Sequence, residues 1–297
     1  MNKRKQMVVN YAHQLFIEKG YQATSIQDIL DYSGISKGTF YNYFSSKSEL
    51  LKAVFLTSQE KLEKERNELL IGKNLADIEI FIKQSELQMH SNKSNKLFSL
   101  YEEVMISNDA ELKNFITHAK FQHIHWLSKR FLDIFGADKK PYVLDCAILY
   151  SGMMHQTIHF NALAKEPDFN PTEIIRYCVD RIKSIFEDVS KSKVQLLEPD
   201  LIKQWLPECF HTQQDFHTAL LHSANDLKKM ILRLCHDDEA ERVKNLKLIH
   251  FIQEELLQNV EPRIFLIESA LLSLDTNPKL KNTMELSEFE KVIANNF

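Results

Sequence analysis

Two lysines stand at the predicted starts of short helices, where an anion would suit them. Lys37 follows Ser36 in GISKGTFYNYF, residues 34–44, and Lys47 follows Ser46 in SSKSEL. A lysine in the first turn of a helix opposes the helix dipole unless an anion binds there. Free backbone amides together with a lysine form a ready phosphate site. The spacing therefore predicts that both helix starts face phosphate.

Small and polar side chains between the two lysines suit a close approach to a nucleic acid. Gly38 removes a side chain where a helix would meet a groove wall, which outweighs a helix penalty of about 1 kcal/mol for glycine. The hydroxyls of Tyr41 and Tyr43 can donate to phosphate oxygens, and Thr39 and Asn42 can reach base edges. A plain surface helix pair with incidental lysines is the alternative interpretation.

Helix signals before this stretch predict two preceding helices. Apolar residues at helical spacing predict a first helix that runs to Lys19 and ends at Gly20, a left-handed C-cap residue. Thr24 and Gln27 are predicted to form the capping box of a second helix. Gly34 then permits the tight turn of a helix-turn-helix.

The stretch itself predicts a third helix over 36–43, with Ser36 as its N-cap. Phe40 and Phe44 share the inner face of that helix, so its outer face is small and polar. Ser46 and Glu49 are predicted to form a capping box at the start of a fourth helix.

A specific motif covers residues 16–55. It reads G-Y-x-A-T-[ST]-x-x-x-I, then G-[IV]-S-K-G-T-[FL]-Y-x-[YH]-F, then K-x-x-L-L. The motif resembles the N-terminal domain of the TetR family of bacterial transcriptional regulators. The resemblance implies a homodimer whose recognition helices enter successive major grooves of an inverted-repeat operator in double-stranded DNA. The residues expected near phosphates or bases are Thr24, Ser36, Lys37, Gly38, Thr39, Tyr41, Asn42, Tyr43 and Lys47, with Lys37, Gly38, Thr39 and Asn42 nearest the bases.

Length and composition predict an all-α protein of several units. The chain has 297 residues, 44% hydrophobic and 26% charged, with only 6 glycines and 7 prolines and no alternating β-branched run. We expect an N-terminal three-helix DNA-binding domain over 1–55, a helical ligand-binding and dimerisation body over 56–190, and an additional helical unit over 191–297.

Charge is distributed unevenly along the chain. The whole chain carries a net charge of −4, yet residues 1–55 hold seven Lys/Arg against four acidic residues. A basic head on an acidic body can bind a polyanion even though the protein is acidic overall.

Several function classes lack their sequence signals. The N-terminus has no apolar signal region and no stretch is long and apolar enough to cross a bilayer, which predicts a cytoplasmic protein with no membrane partner. No phosphate-binding glycine loop, nucleophile elbow or paired catalytic carboxylates occur, so we expect neither an enzyme nor a cofactor.

Cysteines and histidines are also without a site signature. Four scattered cysteines with no C-x-x-C pair indicate reduced core residues. His155 and His159 lie one helical turn apart, and three more histidines lie between 118 and 125. Because a metal site needs three or four ligands, we expect no metal here. We expect these histidines to be satisfied polar groups within helical interfaces.

The resemblance further implies a small-molecule pocket in the body and an intersubunit four-helix bundle built from 142–164 and 172–189. The aromatic and methionine content of the body suits a bulky apolar or aromatic effector, although ordinary core packing is the alternative. A cationic ligand could pair with Glu102 or Glu103, for which a solvated helix face is the better interpretation. The candidate lining residues are Phe98, Tyr101, Met105, Phe115, Phe121, Trp126, Tyr150 and Met154.

Residues 191–297 exceed a typical family member. A connector followed by three amphipathic helices is predicted there, with no readable role. The leading hypothesis is a transcriptional repressor released by a small molecule, with efflux or drug response as the pathway by family frequency. A ligand-independent architectural DNA-binding protein that recruits a partner through this unit is the alternative.

Overall fold

The computed structural model describes residues 3–164, 170–207, 214–258 and 262–295. These residues form α-helices and one 3-10 segment, without a strand, so the prediction of an all-α fold is confirmed. The helices are α1 (Lys3–Lys19), α2 (Ile26–Ser33), α3 (Lys37–Tyr43), α4 (Lys47–Glu68), α5 (Ile78–Ser94), α6 (Leu97–Ile106), α7 (Ala110–Phe135), α8 (Val143–Ala164), α9 (Pro171–Ser192), α10 (Leu201–Trp205), α11 (Gln214–Leu234), α12 (Glu239–Gln258), α13 (Ile264–Asp275) and α14 (Met284–Ala294), with the 3-10 segment at Ala137–Tyr142.

The capping box of α2 lies one residue later than predicted. Ser25, not Thr24, is the N-cap, because the Ser25 hydroxyl accepts from the Asp28 amide and the Asp28 carboxylate accepts from the Ser25 amide. The Thr24 hydroxyl instead donates to the carbonyl of Gly20 at 2.7 Å. Gly20 itself has φ +87°, as a left-handed C-cap requires.

The starts of α3 and α4 follow the predicted pattern more closely. Ser36 caps α3 by accepting from the Thr39 amide at 3.1 Å. Ser46 accepts from the Glu49 amide in the same way, but the Glu49 carboxylate accepts from Lys52. The capping box of α4 is therefore present in one direction only in the contacts described.

The N-terminal domain does not end as a packing unit at residue 55. Its core, which includes Phe40 and Leu50, is continuous with Leu100 of α6 and Leu112 of α7. The helix α4 also passes through residue 55 without a break. The three helices of the N-terminal domain therefore sit directly on the body.

The body has its own core among α5, α7, α8 and α9. Phe81, Phe131 and Phe186 are fully buried there, and Phe131 lies edge-on to both Tyr150 and Phe186. The apolar face of α9, from Ile174 to Phe186, is buried in this core. Cysteines follow the same tendency: Cys146, Cys178 and Cys235 are buried and free, whereas Cys209 lies outside the described residues.

The connector after residue 190 completes the body. The amides of Leu196 and Leu197 donate to the Asp145 carboxylate at 2.7 and 3.1 Å. Trp205 of α10 stacks on Phe121 with ring centroids 4.8 Å apart. The boundary predicted at 190 therefore falls before residues that pack as part of the body.

The described part of the C-terminal unit contains four helices, α11 to α14, where three were predicted. Their buried side chains form one core, which includes Leu227, Ile249 and Phe289. The unit docks on the body through Leu221, which packs with Leu70 and other apolar residues around the α4–α5 connection. The missed helix, α14, packs along α11.

Candidate nucleic-acid interface and body cavity

One face of α3 is exposed and carries most of the predicted contact residues. Lys37, Gly38, Tyr41 and Asn42 are exposed, and the first and third of these lie one helical turn apart on the same side. Thr39 is partly buried, and its hydroxyl lies 2.9 Å from the Ser36 hydroxyl. Tyr43 is half-buried against the domain core. The exposed face is thus narrow, polar and positively charged.

Among the described residues, nothing requires a glycine at position 38. A Cβ added to Gly38 would meet only the Ser36 Oγ, at 3.9 Å, which is an ordinary van der Waals contact. The φ of Gly38 is not in the left-handed region. A helical glycine without an internal reason fits a surface that must approach another molecule closely.

Thr24 and Lys47 point into the domain, contrary to their predicted phosphate contacts. Thr24 is fully buried. The Lys47 ammonium donates to the carbonyls of Tyr21 and Thr24, each at 2.9 Å, and lies over the Tyr21 ring. Burial lowers the pKa of Lys47 against a smaller opposing effect of Glu103. Carbonyl oxygens, rather than phosphate, compensate this lysine, and it ties the start of α4 to the α1–α2 turn.

Two other lysines of the domain are engaged within the protein. Lys19 pairs with Asp28 at 2.7 Å, which holds the pKa of that carboxyl well below its usual range together with the Ser25 hydrogen bonds. Lys52 pairs with Glu49 at 2.8 Å. Lys37 makes no ion pair within the described part of the chain, so its charge remains available at the α3 face.

The body contains a cavity of about 750 Å³ that is partly open to solvent. Phe115 does not line it; the centroid of its ring lies 6.1 Å from that of Phe55, in the core shared with the N-terminal domain. The side chain of Phe98 lies outside the described residues. The predicted residues that do line the cavity are Tyr101, Met105, Phe121, Trp126, Tyr150 and Met154.

The sequence interpretation missed several polar and aromatic lining residues, among them Arg66, His123 and Trp205. Arg66 lies in the polar second half of α4, His123 was assigned only to an interface, and Trp205 lies after the predicted connector, outside any predicted helix. Burial, with a further effect of Arg66, lowers the pKa of His123 to about 4. One sequence signal was available for Trp205, because tryptophan is rare in this chain. The chain has only two tryptophans, and both line the cavity.

A chain of polar contacts leads from the cavity wall to the C-terminal unit. The Gln84 amide donates to the carbonyl of Arg66 at 2.9 Å and accepts from Arg130 Nε at 2.9 Å. Arg130 donates to Asp133 at 2.7 Å, and Asp133 lies 3.4 Å from His222 of α11. Burial raises the pKa of Asp133 against the opposing charges of His222 and Arg130. We call these five residues the polar chain.

Two further kinds of feature are absent from the described ranges. No helix there has both the length and the apolar character needed to cross a membrane. Nor do three or more His, Cys, Asp or Glu side chains of those ranges come together as metal ligands would.

Comparison with known proteins matches the N-terminal domain to a family. The model for "Bacterial regulatory proteins, tetR family" matches residues 8–54. The chain is 27% identical over 197 residues to the uncharacterized HTH-type transcriptional regulator YerO of Bacillus subtilis, which covers 65% of this chain and 68% of that protein.

Shorter matches concern the N-terminal domain alone. The Transposon Tn10 TetC protein of Escherichia coli is 48% identical over 50 residues, which is 17% of this chain and 25% of that protein. The HTH-type transcriptional regulator UidR of Escherichia coli is 37% identical over 54 residues, 18% of this chain and 28% of that protein. No solved structure matches the chain. With the helix-turn-helix in place and the motif matched, the predicted resemblance is confirmed, and the chain is a transcriptional regulator with a DNA-binding domain of the TetR type.

Proposed function

We propose that this regulator is a homodimeric repressor that binds an inverted repeat and is released when a small apolar or aromatic molecule enters the body cavity. It acts in the cytoplasm, and the family resemblance suggests control of efflux or drug response. The observation that carries the proposal is the course of α4. This helix begins beside α3 and ends on the cavity wall.

The two ends of α4 have distinct surroundings. Leu50 and Val54 are fully buried in the core of the N-terminal domain, and Lys47 fixes the helix start to the α1–α2 turn. Leu62 and Arg66 lie on the cavity wall. A ligand that changes the packing around Leu62 and Arg66 therefore changes the position of Leu50 and Val54. Coupling between the cavity and the DNA-binding face requires such a ligand to interact differently with the two positions of the helix.

The proposed dimer surface is an exposed apolar stripe on α8. Leu149, Phe160 and Leu163 are 49%, 64% and 62% exposed. Exposed apolar side chains at helical spacing favour a protein partner. The sequence interpretation also expected the apolar stripe of α9 at this interface, but that stripe is buried in its own body core. The contribution of α9 is its outer face, where Tyr177 is 58% exposed.

DNA selection followed by a binding titration tests the proposal. Purified protein should select an inverted repeat from random duplexes, and fluorescence anisotropy should then give the affinity for that duplex. A compound that raises the melting temperature of the protein should weaken this affinity by at least about tenfold, a coupling of about 1.4 kcal/mol. Selection of a single half-site would refute the dimer. A stabilising compound that binds in the cavity and leaves DNA affinity unchanged would favour the ligand-independent architectural alternative.

A further inference from the structure

We propose that the body cavity binds an amphipathic organic anion, with an apolar or aromatic body and a single carboxylate that pairs with Arg66. The inference rests on the proposed function and names the ligand class. It departs from the sequence interpretation, which favoured an apolar ligand and considered a cationic one.

Arg66 is a buried cation on the wall of the cavity. The residue is 8% exposed, and its guanidinium carbon lies 4.2 Å from the centroid of the Trp126 ring. Nη1 donates to the Gln88 side-chain oxygen at 3.3 Å, a long hydrogen bond. Nε is buried without a hydrogen-bond partner among the described residues. The guanidinium is thus positioned by an aromatic face and one amide, with part of its donor set unused.

The charge of Arg66 is incompletely compensated inside the protein. Burial lowers its pKa to about 10, and the charge of Glu63 opposes this by a smaller amount. Arg66 therefore stays protonated at neutral pH. A buried charge is costly unless it is paired and hydrogen-bonded. A ligand carboxylate would supply both the missing charge and the missing acceptor.

Guanidinium geometry favours a carboxylate. The Nε and Nη2 groups present two parallel N–H bonds along one edge, which matches the two oxygens of a carboxylate. Gln88 accepts from Nη1, on the other side of the group, and no described residue accepts from Nε on this edge. A single guanidinium neutralises one negative charge, so a monocarboxylate suits the site better than a doubly charged phosphate ester.

The rest of the cavity supports an amphipathic body for the ligand. His123, whose low pKa keeps it neutral, also lies on the wall and adds no second positive charge. Lys120 and Glu102 line the cavity but are exposed. The buried parts of the wall are mainly apolar, and include Leu62 and Leu127. Because Glu102 is solvated, a cationic ligand would find no buried carboxylate there.

The test compares three probes of one shape: 4-butylbenzoate, 4-butylbenzamide and 4-butylbenzylammonium. Both tryptophans of the chain line the cavity, so intrinsic fluorescence reports occupancy directly, and calorimetry gives the affinity. We expect the benzoate to bind at least about tenfold more tightly than the amide, because hydrogen bonds to charged groups are stronger than hydrogen bonds between neutral groups. Equal binding of the two, or no benzoate binding up to about 5 mM, overturns the inference.

Arg66→Gln should weaken benzoate binding by about 10- to 100-fold and leave amide binding unchanged. The matched control is Lys120→Gln, which removes an exposed lining charge and should change benzoate affinity less than about twofold. Benzoate binding that survives Arg66→Gln, or that is lost equally in the control, overturns the inference.

A folding control separates binding from stability. Arg66→Met removes the buried charge, and its melting temperature should stay the same or rise. If Arg66→Gln lowers the melting temperature markedly, Arg66→Lys provides the comparison, because lysine keeps the positive charge and lacks the two parallel N–H donors of the guanidinium. It should still prefer the benzoate over the amide, and loss of that preference with the fold intact counts against a charge-based site.

DNA anisotropy on the same samples distinguishes this inference from the proposed function. Benzoate binding that depends on Arg66 but leaves DNA affinity unchanged supports the anion site and refutes release by ligand. An amide that binds as well as the benzoate and releases DNA supports release and refutes the anion site.

Discussion

Replacement of Gly38 by alanine should separate the stability of α3 from its contact with DNA. An added Cβ meets only Ser36 Oγ, at 3.9 Å, so the substitution causes no clash within the protein. Alanine is favoured over glycine in a helix by about 1 kcal/mol, and less in the first turn of a short helix such as this one. The free energy of unfolding should therefore rise by about 0.5–1 kcal/mol, which is a melting temperature increase of about 1–4 °C.

DNA binding should change in the opposite direction. The new methyl group lies on the exposed face of α3 and holds the helix away from the groove, so specific affinity should fall by at least about tenfold. Gly38→Leu, with a larger side chain, should approach the non-specific level, which is typically about 10³-fold weaker or more. A thermal melt and an anisotropy titration on the same sample measure both effects.

Gly152→Ala is the matched control for this experiment. Gly152 lies within α8, remote from α3, and a Cβ added there meets nothing within 4 Å. The control should gain similar stability and keep its DNA affinity, with its dimeric state verified by sedimentation because α8 is the proposed interface. Lost binding together with a lowered melting temperature in Gly38→Ala would mean that this glycine serves the fold. Unchanged binding would show that α3 is not the recognition helix.

Three other perturbations have distinct expected outcomes. Lys37→Ala should weaken binding to all DNA sequences and lower the slope of log affinity against log salt by about one unit, without altering the melting temperature. Lys47→Met should instead lower the melting temperature and leave the salt slope unchanged, because the Lys47 ammonium donates to two carbonyls. The reverse result for the two variants would contradict the structure. Burial lowers the pKa of Lys228 from 10.5 to about 8, so the unfolded state binds more protons than the folded state between these two pH values. The free energy of unfolding should therefore rise with pH across that window, by at most about 3 kcal/mol. Urea unfolding should show this rise in the wild type and a flatter pH dependence in Lys228→Met. Phe160→Glu should yield a monomer in sedimentation with an unchanged far-UV spectrum, and an intact dimer would exclude the exposed stripe of α8 as the interface.

Local rules predicted the N-terminal domain well. Gly20 and Ser36 occupy their expected capping positions because a cap depends on a few neighbouring residues. Phe40 is buried as its helical position indicates. The capping box at Thr24 was misplaced because Thr24 and Ser25 are both good caps, and only the tertiary contact of Thr24 with Gly20 decides between them.

Nonlocal contacts account for the other differences. The sequence places Lys47 correctly at the start of a helix, but the direction of its long side chain depends on carbonyls more than 20 residues away. Trp205 joins the cavity through Phe121, which is distant in sequence. The polar surroundings of Arg66 along α4 gave no sign of its burial, because burial comes from α5 and α7.

The unbroken course of α4 makes it a lever arm. From Arg66 to Lys47 the helix rises about 28 Å, at about 1.5 Å per residue. A tilt of about 5° at the cavity end would therefore displace the other end by about 2.5 Å, and in the proposed dimer opposite displacements of the two protomers would add to about 5 Å. Recognition helices of a dimer must match grooves about 34 Å apart, so a mismatch of that size exceeds one base-pair step of about 3.4 Å. A rotation too small to disturb a single packed core is thus large when measured along the DNA.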